Sequence, residues 1–485
     1  MKLNKLLRNC EVVSIKGDEN VDVLSISSDS RTVEKGSLFI AVEGIFTDGH
    51  SYLGKAIEQD AAVVVYDKPL IDEYFSRVTY VQVKNSAFAL AQIASEWYDN
   101  PSNELKLVGV TGTNGKTTIA TLLYNMFRNL GFPAGLISTV GNYVDGEFYA
   151  TSHTTPDPIT INGFLRKMVD AGCEYAFMEV SSHAIHQKRV GCLKFAGGIF
   201  TNLTQDHLDY HKNMLEYRDV KKSFFDSLPT DSFVLTNSDD RNGAVMIQNS
   251  QAKKYSYSLK GMADFKGRIF EKHFDGSDIE INGKQLSVLF VGVFNVYNLL
   301  AVYGAGMLLG LDQNEVLRVL SMLKPVAGRF QTVRSDKDIT AIIDYAHTPD
   351  ALTNVLSAIN EVLDEKGKLI TVVGCGGNRD RTKRPLMARE AIKLSDKVVF
   401  TSDNPRFEEP SDILQDMLNG LSDDEKRASL TIVDRREAIK TACALAQPGD
   451  VVLIAGKGHE DYQEIKGVKH HFDDKEEVEK IFLSN

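Results

Sequence analysis

The chain has 485 residues, more than one hydrophobic core usually supports, so about three domains are expected. Its 43% hydrophobic and 25% charged content is that of an ordinary globular protein. A net charge of −11, with no basic block, argues against nucleic-acid binding. The longest apolar runs, such as Ala61–Tyr66 and Val451–Ala455, are strand-length and too short to cross a bilayer. Charges interrupt the first ten residues every few positions, so no signal-peptide core is present there. The five cysteines (Cys10, Cys173, Cys192, Cys375, Cys443) are scattered and suggest neither a disulfide framework nor a zinc site. A cytoplasmic protein with no nucleic-acid partner and no membrane insertion is expected.

Residues 1–98 carry short β-rich runs, Leu38–Val42, Ala61–Tyr66 and Val78–Val83, then a helical stretch ending near Trp97. The polar segment Tyr98-Asp-Asn-Pro-Ser-Asn-Glu104 reads as a linker with a proline break. Residues 99–330 alternate buried-type strands with helical patterns: Leu105–Val110, Tyr175–Val180, Gly198–Leu203 and Phe233–Thr236. Such alternation predicts a mostly parallel sheet with its ligand site at the strand C-termini. Residues 331–485 form a third α/β block with strands Thr340–Ile343, Leu369–Val373, Lys397–Thr401, Leu430–Val433 and Val451–Ala455. There Gly374-Cys-Gly376-Gly-Asn-Arg379 follows a strand, but Arg379 replaces the third glycine of the dinucleotide fingerprint. The block reads as a Rossmann-like fold without NAD binding.

Residues 109–118 read Gly-Val-Thr-Gly-Thr-Asn-Gly-Lys-Thr-Thr, between an apolar run and a helix-like stretch. Gly112, Thr113, Asn114 and Gly115 form a loop, and Lys116, Thr117 and Thr118 open the helix. Backbone N–H groups and the helix N-terminus would wrap a phosphate that Lys116 neutralises, with the Thr117 hydroxyl placed for Mg²⁺. Position 110 is Val, so the loop departs from the strict pattern, which points away from GTPases and most ATPases. The strand–loop–helix context disfavours a plain glycine turn with a surface lysine.

Met178-Glu179-Val180-Ser181-Ser182-His183 ends a strand, where Glu179 is placed either to hold Mg²⁺ near the phosphates or as a solvated loop carboxylate. Thr201-Asn202-Leu-Thr-Gln-Asp206-His207-Leu-Asp209-Tyr210-His211 ends the next strand. His207 there reads as a metal ligand, with helix capping by Asp206 as the ordinary alternative. Lys221 and Lys222 form a lysine pair on a helix, by themselves a surface feature.

These motifs occur in one order, followed by Phe294-Asn-Val-Tyr-Asn298, Gly328-Arg329 and Asp344-Tyr-Ala-His347-Thr-Pro. Together they resemble the Mur ligases, ATP-dependent amide-forming enzymes of peptidoglycan precursor synthesis, across essentially the whole chain. The resemblance implies a small α/β UDP-binding N-terminal domain, a central P-loop mononucleotide-binding domain and a C-terminal Rossmann-like amino-acid-binding domain. His153-Thr154-Thr155-Pro156 and Asp403-Asn404-Pro405-Arg406 narrow it to members that extend UDP-MurNAc-L-Ala-D-Glu by a third residue.

The resemblance also implies residue roles. Lys116, Glu179, His207 and Lys221 would be catalytic, with Thr117 and Glu179 serving one Mg²⁺ and His207 a second. Lys221, in the family's Tyr-x-x-x-Lys position counted from Tyr217, would carry a CO₂-derived carbamate that also ligates metal, with Lys222 the neighbouring choice. Asn298, Arg329 and Asp344 would reach ATP, and His347 lies nearby, although capping or interdomain hydrogen bonds are an alternative for each. Ser28 and Ser30 in Ser27-Ser28-Asp29-Ser30-Arg31 match the uridine-side motif. Thr154, Thr155, Ser181, Gln187 and Arg189 match positions that hold the MurNAc-dipeptide. Gly44-Ile45-Phe46-Thr47 lacks the polar pair of some relatives.

Arg406 in the proline-fixed turn is expected to clamp the second carboxylate of meso-diaminopimelate, which L-lysine lacks. An interdomain salt bridge is the alternative for Arg406. Arg379 would add a second cation, Asp403, Asn404 and Pro405 the turn, and Gly456 and Glu460 the pocket for the distal ammonium. A monomer is expected. A lysine-adding relative, a folylpolyglutamate-synthase-like ligase and a non-catalytic nucleotide-binding regulator are the competing readings. The N-terminal 98 residues and the Asp403–Arg406 turn argue against the folate enzyme, and the complete catalytic set against the regulator.

Overall fold

The computed structural model describes residues 1–44, 47–69, 77–151, 153–363 and 367–484. The chain builds three main sheets in sequence. In the first, five strands run in the order Val12–Lys16, Thr79–Val83, Val63–Tyr66, Ser37–Ile40, Ser25–Ser27. All pair in parallel except the first two. Val63 and Val65 face one apolar cluster, Val64 and Tyr66 another. Burial on both faces explains why this strand reads as a continuous apolar run. The helix Ser86–Trp97 is capped by the Asn85 side chain, which accepts from the Phe88 N–H. The chain then turns through Asp99 and Asn100, both at positive φ, into a 3-10 turn at Pro101–Asn103.

The second sheet has eleven strands. Its centre is parallel, in the order Lys253–Ser258, Phe233–Asn237, Gly197–Phe200, Lys106–Thr111, Tyr175–Glu179, Ala134–Ser138. Both flanks turn antiparallel, through Gly141–Val144 and Glu147–Tyr149 on one side and, on the other, through a meander whose first strand Phe265–His273 still pairs parallel to Lys253–Ser258 before Gly276–Ile281 and Lys284–Val288 run antiparallel. The expected strand–helix alternation to residue 330 is therefore broken by the meander, which the sequence reading missed. Its strand Phe265–His273 is buried only at alternate positions and then not at all, so it never forms a buried-type apolar run.

Helices Lys116–Asn129 and Val293–Leu308 pack on one face, Pro158–Asp170 and Met214–Asp226 on the other. A side chain at Gly109 would meet Phe224 at 2.7 Å, so glycine lets the last helix lie close against the central strand.

The third sheet has the order Gln331–Arg334, Thr340–Asp344, Val451–Ala455, Leu369–Val373, Lys397–Phe400, Leu430–Thr431. Only its first pair is antiparallel. The run expected at Leu430–Val433 shortens to a two-residue exposed strand. After the Leu369–Val373 strand the next helix begins only at Lys383, so no helix start directly follows the Gly374–Gly377 turn. Among the described residues no helix is long and apolar enough to cross a membrane.

Phe127 is fully buried, with its ring 4.4 Å from Tyr175 and 5.0 Å from Phe177. Phe127→Ala is expected to destabilise the fold by about 3–5 kcal/mol. Denaturant unfolding checks this, and a loss below about 1 kcal/mol would contradict close packing there.

Candidate active site

The C-terminal ends of the second and third sheets face a shared cleft of about 1270 Å³. The phosphate loop lies at its floor. Gly112 and Gly115 sit at φ 150° and 90°, and a side chain on either would collide with Thr201 or Asn298. The loop is buttressed from the neighbouring strand end. Thr113 N–H donates to the Asn202 carbonyl and Asn114 N–H to Asn202 Oδ1, each at 2.9 Å, while Thr201 Oγ1 donates to the Asn114 carbonyl at 2.6 Å.

Lys116 curls back over this loop, its Nζ donating to the carbonyls of Gly112 (3.0 Å) and Thr113 (2.7 Å). Burial lowers its pKa, against the pull of Glu179 and Asp206. Thr113, Asn114, Gly115, Lys116, Thr117 and Thr118 line the cleft, whereas Gly112 lies behind it and offers only its carbonyl.

Glu179 is buried at the end of its strand, not solvated. Its Oε2 accepts from Thr117 Oγ1 at 2.9 Å and its Oε1 from the Thr139 N–H at 2.7 Å. Lys221 is 1% exposed, and its Nζ donates to the Gly112 carbonyl at 2.8 Å. Burial, then the charge of Lys116, drives its pKa well below the usual lysine value. Lys222 instead pairs with Asp226 at 2.7 Å. The reading of both lysines as surface residues is thus corrected for Lys221. Tyr217, Lys221, Phe224 and Phe225 form the buried stripe of the helix.

His207 adopts φ 56°, and burial lowers its pKa well below the usual histidine value. Asp206 caps no helix, since Asn213 caps the one that follows. Its buried carboxylate lies 3.7 Å from Lys383 Nζ and 3.8 Å from His347 Nε2, both from the third-sheet region. The hard oxygens of Thr117 and Glu179 fit a cation such as Mg²⁺. An exposed trio, Glu271, His273 and Asp278, clusters on the meander but lines no part of the cleft.

Arg329 crosses toward the loop, its Nη2 donating to Thr117 Oγ1 at 3.1 Å and its plane stacking 4.4 Å over the Tyr345 ring. Its buried Nε has no protein partner. Asp344 accepts from the Phe330 N–H at 2.7 Å, and burial raises its pKa. Asn298 lines the cleft and donates to Asn295.

Beyond Glu179 the wall consists of Thr154, Thr155, Ser181, Gln187 and Arg189. Thr155 Oγ1 donates to the Glu179 carbonyl at 2.8 Å, and Ser181 Oγ caps the helix Ser182–His186. Arg189 grips the Thr155 carbonyl and Gln187 Oε1. Ser28 and Ser30 stand outside these walls, because their turn folds on itself: Asp29 pairs with Arg31, and Ser27 Oγ meets Thr32 Oγ1 at 2.8 Å. Gly44 and Thr47 reach the cleft from that region, while Ile45 and Phe46 lie outside the described residues. The sequence reading overlooked His183, a cleft residue stacked 4.0 Å from Tyr210 and edge-on to His207. Its proximity to Glu179 in sequence was the available signal.

At the far end Arg379, Asp403, Asn404, Arg406, Gly456 and Glu460 line the cleft, and Pro405 does not. Pro405 instead packs its carbonyl on Gly377, whose added side chain would meet it at 2.0 Å. Arg406 sits at φ 52°; its N–H donates to the Glu464 carbonyl at 2.9 Å and its Nη1 to the Gly377 carbonyl at 2.8 Å. Its ion-pair partner Glu464, at 3.5 Å, belongs to the same third-sheet region, so no interdomain bridge forms. Glu460 accepts from Asn404 Nδ2 at 2.7 Å, and burial followed by Asp403 raises its pKa. Arg379 lies 4.0 Å from Asp209.

Residues 110–306 match the Mur ligase middle domain, residues 328–458 the Mur ligase glutamate ligase domain, and residues 22–98 the Mur ligase family catalytic domain. A protein of Parabacteroides distasonis named UDP-N-acetylmuramoyl-L-alanyl-D-glutamate–2,6-diaminopimelate ligase is 60% identical over 99% of both chains. One of the same name from Clostridioides difficile is 41% identical over 98% of both. A solved structure of a ligase with that name superposes with a TM-score of 0.67 at 31% identity, covering 100% of this chain and 99% of its own. The folylpolyglutamate synthase of Mycobacterium tuberculosis shares the fold alone, at 16% identity and TM-score 0.63, over 76% of this chain and 92% of its own.

Fold and cleft together define an ATP-dependent ligase. The chain belongs to the Mur ligase family.

His183 and His211 are both held neutral, burial being the main cause of pKa values pushed down to about 4. An unfolded histidine titrates near 6.5, and each tenfold difference in proton affinity is worth about 1.4 kcal/mol. Above that pH neither state is charged; below it the unfolded chain binds protons first, so stability falls as pH drops from about 6.5 toward 4. His211→Gln is expected to flatten that slope, measured as urea midpoints against pH.

Proposed function

We propose that this ligase joins meso-2,6-diaminopimelate to the D-Glu γ-carboxylate of UDP-MurNAc-L-Ala-D-Glu, using ATP and Mg²⁺, in cytoplasmic peptidoglycan precursor synthesis. It acts as a monomer of three domains: 1–98 for the UDP-sugar, 99–330 for ATP and 331–485 for the amino acid. The observation that carries the reading is that one cleft gathers the phosphate loop, Glu179 with the Thr154–Arg189 wall, and Arg406 with Glu460.

A carboxylate is a poor electrophile at neutral pH. Its oxygen therefore attacks the γ-phosphorus of ATP, ADP departs, and an acyl phosphate remains. The free amine of the diamino acid attacks that carbonyl carbon; the tetrahedral adduct expels phosphate and loses a proton to leave the amide. Two anions must meet in the first step, so cationic groups have to be fixed before they arrive. Lys116, which donates to the Gly112 carbonyl, and Arg329, which donates to Thr117 Oγ1, supply that charge. Thr113, Asn114, Gly115 and Thr118 wrap the phosphates, with Gly112 making the turn behind them, and Asn298 and Asp344 face the nucleoside.

Thr117 and Glu179 would hold one Mg²⁺ and His207 a second, which when bound neutralise phosphate charge. Lys221, buried beside Lys116 with a depressed pKa, has a free-amine form suited to capturing CO₂, and the resulting carbamate is the hard anionic donor such an ion prefers. Thr154, Thr155, Ser181, Gln187 and Arg189 hold the MurNAc-dipeptide, with Ser28 and Ser30 toward uridine. Arg406, with Arg379, clamps the second carboxylate of the diamino acid. Asp403, Asn404, Pro405, Gly456 and Glu460 shape the pocket for its distal ammonium.

ADP release is expected only when both the UDP-dipeptide and meso-diaminopimelate are present; comparable turnover with L-lysine would overturn the assignment. Arg406→Lys should cut the preference for diaminopimelate over lysine by about 10²-fold or more, since the charge it leaves unclamped is buried. Lys221→Ala should lose about 10²–10³-fold in kcat and recover partly with a short carboxylic acid. Unchanged activity in that variant would remove Lys221 from the site.

A further inference from the structure

Arg435 opens the helix Arg435–Leu445, and its side chain is 0% exposed, as is that of Asp474 at the start of the helix Asp474–Ser484. Nε and Nη2 donate to the two carboxylate oxygens of Asp474, each at 2.7 Å. Only a planar guanidinium makes this two-pronged contact. The fork also reaches two backbone carbonyls: Nη1 donates to Ser402 at 3.4 Å and Nη2 to Ala455 at 3.1 Å.

Those two carbonyls have a common property. Ser402 immediately precedes the turn Asp403-Asn404-Pro405-Arg406, and Ala455 immediately precedes Gly456, which leads to Glu460. Arg435 lines no part of the cleft, yet Asp403 and Glu460 are near enough to feel its charge. The two turns meet closely, since a side chain added at Gly456 would come within 2.5 Å of Asp403 Oδ2. Joining the two helices requires Asp474 alone. The extra carbonyl contacts fix the two strand ends relative to each other.

The geometry points to Arg435 as a positioning residue that sets the separation of the two turns gripping the diamino acid, and through it the selection of that substrate. This inference rests on reading those turns as the diamino-acid subsite. The rigid fork holds Asp403–Arg406 and Gly456–Glu460 as one unit, so the carboxylate clamp and the ammonium pocket keep the spacing of a single substrate. A misplacement of about 1 Å at such contacts is enough to cost on the order of 10²-fold.

The test uses the full-length enzyme with all three substrates, comparing Arg435→Lys, Asp474→Asn and, in parallel, Arg406→Lys. Arg435→Lys is expected to raise the KM for meso-diaminopimelate about tenfold or more, with the KM for ATP and UDP-dipeptide within about twofold. Its preference for diaminopimelate over L-lysine should fall by a similar factor. Calorimetric binding of ATP establishes that each variant is folded. Equal rises in all three KM values would mean a general structural role and overturn the inference. So would an unchanged diaminopimelate KM in Arg435→Lys while Arg406→Lys raises it. If neither variant moves that KM, the subsite reading fails together with this inference. Should Arg435→Lys not fold, Asp474→Asn must show the same KM split, because it loosens the same guanidinium, and absence of the split overturns the inference.

Discussion

Two lysines, Lys116 half-buried and Lys221 fully buried, converge on one backbone carbonyl. Lys116 and Lys221 both donate to the Gly112 oxygen, at 3.0 and 2.8 Å, from the start of one helix and the middle of another. Each burial is costly for a charged amine, and Lys116 further opposes a charge on Lys221. The arrangement is stable only if protons or anions adjust to it. A triphosphate over the loop would compensate Lys116, and conversion of Lys221 to an anion would turn a repulsion into an attraction. Glu179, Thr117 and Arg329 gather around the same point, so the local charge balance depends on what the loop holds.

That balance extends across the sheets. Asp206 leaves the central sheet and is met by His347 and Lys383 from the third. Asn114, inside the phosphate loop, donates to Asp350 at 3.1 Å. Arg329 ties the third-sheet side to Thr117. Each contact joins the central-sheet side of the cleft to the third-sheet region. The two sides are therefore mechanically linked, which suits chemistry whose activated intermediate must be kept from water.

The parts of this design legible in sequence were those built from local pattern. The parallel strands are buried on both faces and appear as apolar runs, and the phosphate loop is contiguous, so both were readable. The meander was not, because its first and third strands are largely exposed. Lys221 was readable only by resemblance, although its spacing from Tyr217 and Phe225 places it on the buried stripe of its helix. The Asp206 contacts depend on segments distant in sequence, which no local pattern encodes, and His183 was signalled only by its nearness to Glu179 in sequence. The turn around Ser28 and Ser30 satisfies its own hydrogen bonds, and its match to a motif says nothing of its distance from the cleft.

The choice of amine is likewise a matter of fixed charge. Around the far end stand two carboxylates, Asp403 and Glu460, and three cations, Arg379, Arg406 and the fully buried Lys457, whose Nζ lies 3.4 Å from Glu460. Lys457 is turned away from the cleft walls, so it offsets a carboxylate without meeting the substrate. In the proposed reading the substrate would face two cations, Arg406 and Arg379, and a carboxylate pair sharing one buried lysine. A zwitterionic end group, with its own carboxylate and ammonium, matches that layout; a lone ammonium leaves Arg406 with a site shaped for a missing anion. Selectivity of this kind comes from the penalty for a charge left unmatched more than from added attraction, and it persists only while the surrounding backbone cannot relax. In the proposed reading the buried Arg435–Asp474 pair would supply that rigidity from outside the cleft wall.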